Sequence, residues 1–366
     1  MSDRIAWLKR QFQGRRVLLT GHTGFKGGWL AIWLKDLGAE VAGLALDPST
    51  QPSLFDAAEV RGCLVEDFRV DIRDGQRVRD TVCGFNPEIA LHLAAQPIVR
   101  TAYKLPAETF HTNVGGTVNV LEALRHCDAV KSIVVVTTDK VYENREWVHA
   151  YREPDPLGGH DPYSASKAAC EIAAASYARA FFHVRKVGFA TCRAGNVIGG
   201  GDWADDRIVA DSVRALAQGK PIPVRNPAST RPWQHVLEPL HGYLLTAARL
   251  LEAPEDISGA WNFAPEVDSG RPVEALVKLF LDEWGGGGWE DLSQQQGNAP
   301  HEAQRLALAW DKAYRVLGWQ PIWNFETTIR RTVAWYRDQL AGKSALTLCR
   351  NDLARFQQDL QEHSQP

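Results

Sequence analysis

The feature that most constrains the fold is a glycine-rich segment near the start of the chain, between a strand pattern and a helix pattern. Arg16–Thr20 (RVLLT) has the composition of a buried strand, and Gly21-His-Thr-Gly24-Phe-Lys-Gly27 follows at once. Helical spacing then continues to about Leu37, where Gly38 supplies a stop. Glycines at such a turn let the backbone approach a pyrophosphate at the helix N-terminus. The segment therefore predicts a dinucleotide-binding βαβ unit, with an ordinary glycine turn as the alternative.

The rest of the first half alternates strand and helix patterns. Strands are predicted at residues 40–46, 89–93 and 132–137, and the last of these (SIVVVT) is unusually apolar. Strands buried on both faces have this composition in parallel sheets. Helical spacing occurs at residues 113–126 and 166–182. This order predicts an α/β protein with a doubly wound, Rossmann-type parallel sheet.

The second half of the chain has looser patterns. Glycines at residues 199–201 and 285–288 and a proline-rich stretch at residues 221–239 indicate loops. Helical spacing returns at residues 272–284 and 325–340. These features predict a smaller substrate-binding lobe whose segments interleave with the sheet domain.

Domain bounds follow from these changes of pattern. We expect an NAD-binding domain at residues 1–195, the substrate-binding lobe at 196–340 and a C-terminal tail at 341–366. A candidate strand at residues 259–264 (GAWNFA) suggests that a segment at about 235–265 returns to the sheet. Four tail residues near helical spacing are expected to pack on the body: Cys349, Leu353, Phe356 and Leu360.

Composition excludes several classes of function. The chain has 366 residues, of which 45% are hydrophobic, and a formal net charge of −3, so it has no global basic field for nucleic acid. Its six cysteines are scattered without a C-x-x-C pair or a His/Cys cluster, so we expect no metal site and free thiols in a reducing cytosol. Residues 1–10 lack a signal-peptide core, and no apolar run approaches the roughly 18 residues of a membrane helix. We therefore expect a cytoplasmic protein.

A tyrosine and a lysine one helical turn apart are the strongest catalytic candidates. In Tyr163-Ser-Ala-Ser-Lys167 the two side chains lie at i and i+4 on one helix face. A phenol with a reference pKa of about 10 needs a neighbouring ammonium to act as a base at neutral pH. Thr138 follows the SIVVVT strand at the carboxyl end, where α/β sites form, and could hold a substrate oxygen beside Tyr163. The Y-x-x-x-K pattern also arises by chance, so it carries weight only in combination with Thr138 and the glycine turn.

With these motifs, residues 12–340 resemble the extended short-chain dehydrogenase/reductases that act on sugar nucleotides. The segment Thr137-Thr-Asp-Lys-Val-Tyr-Glu-Asn144 is similar to the signature of their 4,6-dehydratases. Most of that group carry Thr-Asp-Glu, whereas this chain has Thr138-Asp139-Lys140. The lysine, together with the GHTGFKG turn, is similar to the branch that acts on CDP-glucose.

Three alternatives stay open at this point. The same scaffold serves dehydratases of UDP-, dTDP- or GDP-hexoses, and it serves epimerases. A nucleotide-sensing regulator without chemistry is a third possibility, although such proteins typically lose the Tyr/Lys pair that this chain keeps.

The resemblance implies a three-stage reaction. Tyr163 takes the proton of the 4-hydroxyl while NAD accepts the C4 hydride, and the resulting ketone acidifies the C5 hydrogen. A base then removes that proton while Asp139 protonates the departing 6-hydroxyl, and the hydride returns to C6. We hypothesise that Lys140 is the C5 base; the alternative is that it only pairs with Asp139 or a phosphate. The product is a 4-keto-6-deoxy sugar.

The resemblance also implies an NAD site in each chain. Its residues are Gly21, His22, Thr23, Gly24, Phe25, Lys26, Gly27, Asp71, Ile72, Leu93, Ala94 and Ala95, with Tyr163 and Lys167. Lys26 either pairs with the phosphates or is solvated, and Asp71 either meets the adenine ring or only closes a turn. Asp47 comes about two residues later than an acid on the ribose should, and it either reaches the ribose or caps the turn before Pro48. NAD is preferred to NADP because no arginine stands at the end of the second strand.

Nucleotide-sugar contacts and assembly are likewise implied by resemblance. The candidate substrate residues are Gln96, Arg100, Asn113, Asn196, Arg207, Arg231 and His301, although each charged residue could equally be a surface charge and Asn113 a helix-surface residue. The helices predicted at 113–126 and 166–182 are apolar over much of their circumference and need cover on both sides. A homodimer through these helices, or a homotetramer, is expected.

Overall fold

The computed structural model describes residues 4–295 and 306–363. Its strands are β1 Arg16–Thr20, β2 Glu40–Ala45, β3 Glu66–Arg69, β4 Ile89–His92, β5 Ser132–Val136, β6 Gly188–Ala194, β7 Val197–Ile198, β8 Ile222–Val224, β9 Thr230–Pro232, β10 Gln234–His235, β11 Gly259–Phe263, β12 Gly270–Pro272 and β13 Trp289–Asp291. Its α-helices are α1 Arg4–Phe12, α2 Phe25–Asp36, α3 Leu54–Ala57, α4 Gly75–Phe85, α5 Val99–Lys104, α6 Pro106–Phe110, α7 Gly116–Leu124, α8 Pro162–Tyr177, α9 Ile208–Ala217, α10 Leu237–Glu252, α11 Pro254–Ile257, α12 Val273–Trp284, α13 Phe325–Leu340 and α14 Ala345–Glu362.

Seven strands form one parallel sheet in the order β3-β2-β1-β4-β5-β6-β11. The chain winds outward from β1 in one direction and then restarts at β4 in the other, so the strand order reverses between β1 and β4. This is the doubly wound arrangement, and it confirms the predicted fold class. Ligands bind such sheets in the crevice beyond the carboxyl ends of the strands at the reversal.

Successive residues of the central strands enter two different cores. In β5, Val134 and Val136 belong to the larger apolar cluster, which includes residues of α2, α10, α13 and α14, whereas Ile133 and Val135 belong to the cluster with α4, α7 and α8. Side chains alternate between the faces of a strand, so a strand covered on both faces must be apolar throughout. The unbroken SIVVVT pattern has this cause.

The second half of the chain both builds the lobe and returns to the sheet. Pairs β7–β10, β8–β13 and β9–β12 are small two-stranded units, and β11 pairs in parallel with β6 at the edge of the large sheet. The predicted strand at 259–264 therefore exists as a sheet strand. The domain bounds at residues 195 and 340 stay predictions.

The stretch at 221–239 is not the continuous loop that its prolines predicted. It contains β8, β9 and β10 and the start of α10. Helix α10 is buried along almost its whole length, and Pro239 lies in its first turn, where proline costs little. The proline concealed the start of a helix whose polar residues Glu238, His241 and Thr246 are buried with the apolar ones.

The tail packs as predicted. Cys349, Leu353, Phe356 and Leu360 are all buried in α14, which contacts α2 and α13. Within the described part of the chain, no helix is long and apolar enough to cross a membrane.

Candidate active site

The turn between β1 and α2 is closed by backbone contacts that only glycine permits. Gly21 has φ +77°, and a Cβ there would lie 2.8 Å from the backbone nitrogen of Ala94. A Cβ on Gly27 would lie 2.7 Å from the carbonyl carbon of Gly21 and 2.8 Å from the Cα of His22. The amides of Leu93 and Ala94 donate to Thr20 Oγ1 at 3.0 and 3.1 Å, which ties the end of β4 to the turn. The predicted turn residues and strand-end residues thus form one crevice at the strand reversal.

This crevice fits a dinucleotide pyrophosphate. The first N–H groups of α2 have no carbonyl partner within the helix, and they carry the positive end of the helix dipole. Gly24 is the N-cap and brings no side chain in front of them. Backbone donors that no side chain caps suit a phosphate anion, as the sequence predicts.

His22 is a correction to the predicted cofactor set. Its imidazole is fully buried against Phe55 and Gly43, and its Nε2 lies 2.8 Å from Asp67 Oδ1. Burial lowers the pKa of His22, although Asp67 opposes this effect. Because the side chain points into the protein, only the backbone of His22 can belong to the cofactor turn.

Lys26 lies among the groups of the catalytic centre. Burial, reinforced by the charge of Arg207, lowers the pKa of Lys26 to about 8, while Asp139 acts in the opposite direction. Its ammonium is therefore not a fully solvated surface charge. Of the two alternatives for Lys26, the geometry favours an interacting side chain.

The residues expected around the adenine ring are held by local partners. Asp71 accepts from the backbone nitrogen of Arg73 at 2.9 Å and from its guanidinium at 2.6 Å, and these contacts lower the pKa of the carboxyl. Ile72 is buried against Gly116 of α7, so only its backbone can reach a ligand. The turn role of Asp71 is thus present in the structure, and its contact with adenine stays a prediction.

Tertiary structure also brings an arginine to the end of β2, although β2 itself carries none. Arg69 of β3 pairs with Ala45 in the sheet register, and its Nη1 donates to the carbonyl of Leu46 at 3.1 Å. Arg69 forms ion pairs with Asp67 (Nη2 to Oδ2, 2.9 Å) and with Asp47 (Nε to Oδ1, 3.6 Å). Asp47 is 87% exposed, so neither of its predicted roles is enforced by packing.

The catalytic candidates meet at the carboxyl end of β5. Thr138, Asp139 and Lys140 form the turn after this strand, and Thr138 Oγ1 donates to Asp139 Oδ1 at 2.9 Å. Helix α8 begins at Pro162, so Tyr163 lies in its first turn and Lys167 one turn later, with Lys167 Nζ donating to the carbonyl of Val136 at 3.0 Å. Four of these side chains are buried and Lys140 is half-buried. The five predicted catalytic residues therefore belong to one site.

An aspartate that sequence reasoning overlooked fixes the start of this helix. Asp161 is the N-cap of α8 and accepts from the amide of Ser164 at 3.0 Å. Aspartate followed by proline at the first helical position was a visible start signal for this helix, and it lies two residues before Tyr163.

Burial sets the proton affinities in this site. It raises the pKa of Tyr163 to about 12, against a lowering by the Thr138 hydroxyl and by Arg207. It also raises the pKa of Asp139, against a lowering by Lys140, and it lowers the pKa of Lys167. Asp139 is therefore biased towards its protonated form, which suits an acid, whereas Tyr163 needs additional positive charge to act as a base.

Thr138, Asp139 and Lys140 form the catalytic turn, and a cavity of about 550 Å³ lies beside it. The predicted residues on its wall are Arg100, Lys140, Asn196, Arg207 and Arg231. Asn196, Arg207 and Arg231 also line an adjoining cavity of about 140 Å³. One guanidinium group can bind two phosphate oxygens at once. Three arginines on one wall therefore suit a diphosphate.

Asp206, which the sequence did not single out, organises this wall. It lies 2.5 Å from Arg225 Nη1 and 3.7 Å from Arg100 Nη1. Burial would raise the pKa of Asp206, but the hydrogen bond and charge of Arg225 outweigh it and lower the pKa. Only the fold brings residues 100, 206 and 225 together, so sequence spacing held no signal for this cluster.

Asn113 is a second correction. It is 1% exposed, and it lies in the π-helical turn His111–Gly115 rather than on a helix surface. Its Oδ1 accepts from the amide of Gln96 at 2.8 Å, and its Nδ2 donates to Gln96 O at 3.2 Å and Ser166 Oγ at 2.9 Å. All its polar groups are used inside the protein, so it holds Gln96 and α8 in place and does not face the substrate.

The remaining substrate candidates have mixed outcomes. The side chain of Gln96 is held by protein partners, with Nε2 donating to Thr109 Oγ1 of α6 at 2.9 Å and Oε1 accepting from the amide of Ile98 at 2.6 Å. Its contact with the sugar stays a prediction. His301 lies outside the described residues. Among residues 4–295 and 306–363, no group of three His, Cys, Asp or Glu side chains could hold a metal ion.

The sheet order, the glycine crevice and the Thr/Tyr/Lys centre together define a class of protein. Residues 17–258 match the NAD dependent epimerase/dehydratase family, and the chain belongs to that family. The prediction of an NAD-dependent enzyme of this group is confirmed.

Individual members of this family are similar to the chain over most of its length. The chain is 44% identical to the CDP-glucose 4,6-dehydratase of Salmonella typhimurium over 355 residues, which cover 95% of this chain and 98% of that protein. It is 29% identical to a probable dTDP-glucose 4,6-dehydratase of Sinorhizobium fredii, with 88% and 92% of the two chains covered. Among solved structures, the UDP-glucose 4-epimerase of Thermus thermophilus in complex with NAD superposes with a TM-score of 0.74 at 25% identity, covering 88% of this chain and 99% of that one.

Proposed function

We propose that this protein is an NAD-dependent lyase that removes water from CDP-D-glucose and yields CDP-4-keto-6-deoxy-D-glucose. The observation that carries the proposal is the 44% identity to a CDP-glucose 4,6-dehydratase over 95% of the chain. The catalytic turn supports it, because Asp139 and Lys140 supply an acid and a candidate base beside the Tyr/Lys pair. Dehydration or epimerisation of another nucleotide hexose is the alternative.

The crevice residues would hold the cofactor. Gly24, the N-cap of α2, leaves the first amides of the helix uncovered for the pyrophosphate. Gly21 and Gly27 let the turn pack closely against the strand end at Leu93 and Ala94 and against α2. When bound, NAD supplies a reversible hydride acceptor. Because the hydride returns to the product, turnover consumes no oxidant and releases no NADH.

Tyr163 acts first, by taking the proton of the 4-hydroxyl. Its phenol must lose its own proton beforehand, and cations near the ring promote this loss. Arg207 lowers the pKa of Tyr163, and the hydroxyl of Thr138 stabilises the phenolate by a hydrogen bond. Lys167, one turn later on the same helix face, is the further cation next to the substrate oxygen.

Asp139 and Lys140 act in the elimination. Once C4 is a ketone, the C5 hydrogen is acidic, and Lys140 in its neutral form removes it while Asp139 donates a proton to the departing 6-hydroxyl. The close backbone of Gly195 shapes the acid's position, since a Cβ there would lie 3.0 Å from Asp139 Oδ2. Burial, which raises the pKa of Asp139, keeps the proton available for this step.

Assembly and location complete the proposal. Arg207 and Arg231 would bind the diphosphate. A second copy of the chain would cover the outer faces of α7 and α8, where Ile172 of α8 and Phe181, just beyond its end, are exposed. A homodimer or homotetramer is therefore proposed. All six cysteines are free, which is consistent with the cytoplasm.

The test is a panel of CDP-, dTDP-, UDP- and GDP-glucose with product detection by mass and by the 4-keto group. We expect CDP-glucose to lose one water with kcat/KM far above the others. An unchanged product mass would mean epimerisation. NADH that accumulates in step with product would mean a simple dehydrogenase, and equal kcat/KM for dTDP-glucose would refute the nucleotide assignment.

A further inference from the structure

A buried carboxylate lies directly behind the catalytic centre. Glu171 follows Tyr163 and Lys167 on the same face of α8, at i+8 and i+4, and its side chain is 4% exposed. It accepts hydrogen bonds from Thr137 Oγ1 at 2.5 Å and from Thr191 Oγ1 at 2.7 Å. Arg193 fills its remaining sites, with Nε and Nη2 each at 2.9 Å. A carboxylate has about four acceptor sites, so every site of Glu171 is occupied by a fixed donor.

The charge of this carboxylate is secured by its partners. Burial acts to raise the pKa of Glu171, but the hydrogen bonds and charge of Arg193, with the two threonine hydroxyls, outweigh it and lower the pKa. Glu171 is thus ionised although it is buried, and its hydrogen bonds are charge-assisted and strong.

The Glu171–Arg193 pair reaches both sides of the catalytic turn. Thr137, which is bound to Glu171, immediately precedes Thr138. On the far side, Arg193 Nη1 donates to the hydroxyl of Tyr142 at 2.7 Å, and its guanidinium lies 4.9 Å from the Tyr142 ring centre. The turn is therefore held at its two ends by one buried ion pair.

Within the turn itself the 2.9 Å bond from Thr138 Oγ1 to Asp139 Oδ1 joins the two side chains to each other, whereas the backbone amides make only long contacts. The amide of Val141 lies 3.4 Å from the carbonyl of Thr138, and the amide of Lys140 lies 3.4 Å from Thr138 Oγ1. At the entry to the turn, the amide of Thr137 donates to Cys192 O at 2.8 Å, and its hydroxyl donates to Glu171. The side-chain bond of Thr137 is therefore a main constraint on where Thr138 and Asp139 point.

We propose that Thr137, held by the Glu171–Arg193 pair, is a positioning residue that sets the hydroxyl of Thr138 and the carboxyl of Asp139 against the substrate. The inference rests on the proposed roles of Thr138 and Asp139. Thr137 does not touch the substrate; it acts through its neighbours. Loss of its hydroxyl should slow the steps that use Thr138 and Asp139 and leave cofactor binding intact.

The chain offers a matched control. Thr137 and Thr191 are each 5% exposed, and both donate a short hydrogen bond to the same carboxylate. Thr191 lies within β6, away from the catalytic turn. Replacing either threonine by valine removes the same kind of bond with little change of shape, so both variants should lose similar stability.

The experiment compares Thr137→Val with Thr191→Val in the full chain with NAD and CDP-glucose. We expect a similar fall of Tm in both, but a fall of kcat of about tenfold or more only in Thr137→Val, because a hydrogen bond to a charged group is lost next to Thr138. KM and the Kd for NAD should stay within about twofold in both. Deuterium exchange at C5 should slow in parallel with kcat only in Thr137→Val.

Two further variants keep the test decisive. If Thr137→Val does not fold, Thr137→Ser and Thr137→Ala are compared, and the serine variant should be about tenfold or more faster because it alone keeps the hydroxyl. Equal kcat in the two valine variants, or in the serine and alanine variants, overturns the positioning role. An Asp139→Asn variant with full activity would instead refute the catalytic assignment, whereas an inactive Asp139→Asn beside equal valine variants refutes the positioning role alone.

Discussion

Replacing Gly27 by alanine tests whether the cofactor crevice depends on close backbone packing. The new Cβ would lie 2.7 Å from the Gly21 carbonyl carbon, 2.8 Å from the His22 Cα and nearer still to the Gly21 carbonyl oxygen, all inside the 3.0 Å that real Cβ atoms respect. These neighbours are backbone atoms, so no rotamer change can relieve the clash. The turn and the first turn of α2 must separate, and the donors that face the pyrophosphate must move with them.

The expected loss can be bounded. A hydrogen bond to a charged group contributes about 1.5–3 kcal/mol, so the loss of one amide donor to the pyrophosphate costs about that much NAD binding free energy. At 1.4 kcal/mol per factor of ten, this corresponds to an affinity lower by about 10- to 100-fold. Calorimetric titration of cofactor-free protein with NAD measures it, with Tm recorded alongside.

Gly28→Ala is the matched control. It is the same substitution one residue later in the same helix, but its Cβ would meet the Leu54 Cδ2 methyl at 3.0 Å, the end of a side chain that can rotate. We expect its Kd for NAD to stay within a fewfold of the original. Equal NAD affinity in Gly27→Ala, Gly28→Ala and the unmodified protein would refute the packing argument for this turn.

Two further predictions concern protons. Replacing Lys140 by methionine should allow oxidation at C4 but abolish exchange of the C5 hydrogen with solvent deuterium, and exchange at the original rate would show that Lys140 is not the base. Glu238 binds the amides of Ile322 and Trp323 at 3.1 and 2.7 Å, and burial raises its pKa from 4.5 to about 8. Between these values the folded state holds a proton that the unfolded chain has lost, so stability should fall as pH rises through this window. Urea unfolding at pH 5 and pH 8 should show that Glu238→Gln removes this part of the slope; an unchanged slope would place the titration elsewhere.

The elements that the sequence predicted are those whose pattern of apolar residues reflects how many of their faces are buried. Strand β5 is covered on both faces and is apolar throughout, and α13 has one polar face, so its predicted bounds at 325–340 agree with the structure. Helix α10 was missed because Pro239 in its first turn was taken as part of a loop. Almost every side of this helix is buried, including the polar residues Glu238 and His241, so polarity in its sequence does not mark a solvent-facing side.

Some residues of the candidate site could also be predicted from local spacing, whereas others depend on distant neighbours. Tyr163 and Lys167 could be paired from their spacing, because one helical turn fixes their relation without any knowledge of the surroundings. Residue type alone could not say where His22 and Asn113 point. Their neighbours Asp67 and Gln96 come from other strands and loops, and those contacts turn both side chains into the protein.

By itself the sequence determined the local chemistry of this protein: the glycine turn, the alternation of strands and helices in the first half, and the Thr138-Asp139-Lys140 turn with its Tyr/Lys partner. These features depend on backbone freedom, side-chain periodicity and helical pitch, which act over a few residues. Only the tertiary structure decided which charged residues, distant in sequence, form ion pairs. Arg100, Asp206 and Arg225 meet in one cluster, and Glu171 and Arg193 meet behind the catalytic turn. Burial and charge pairing depend on everything packed around a group, so proton affinities and side-chain directions arise only when the sheet and its lobe are assembled.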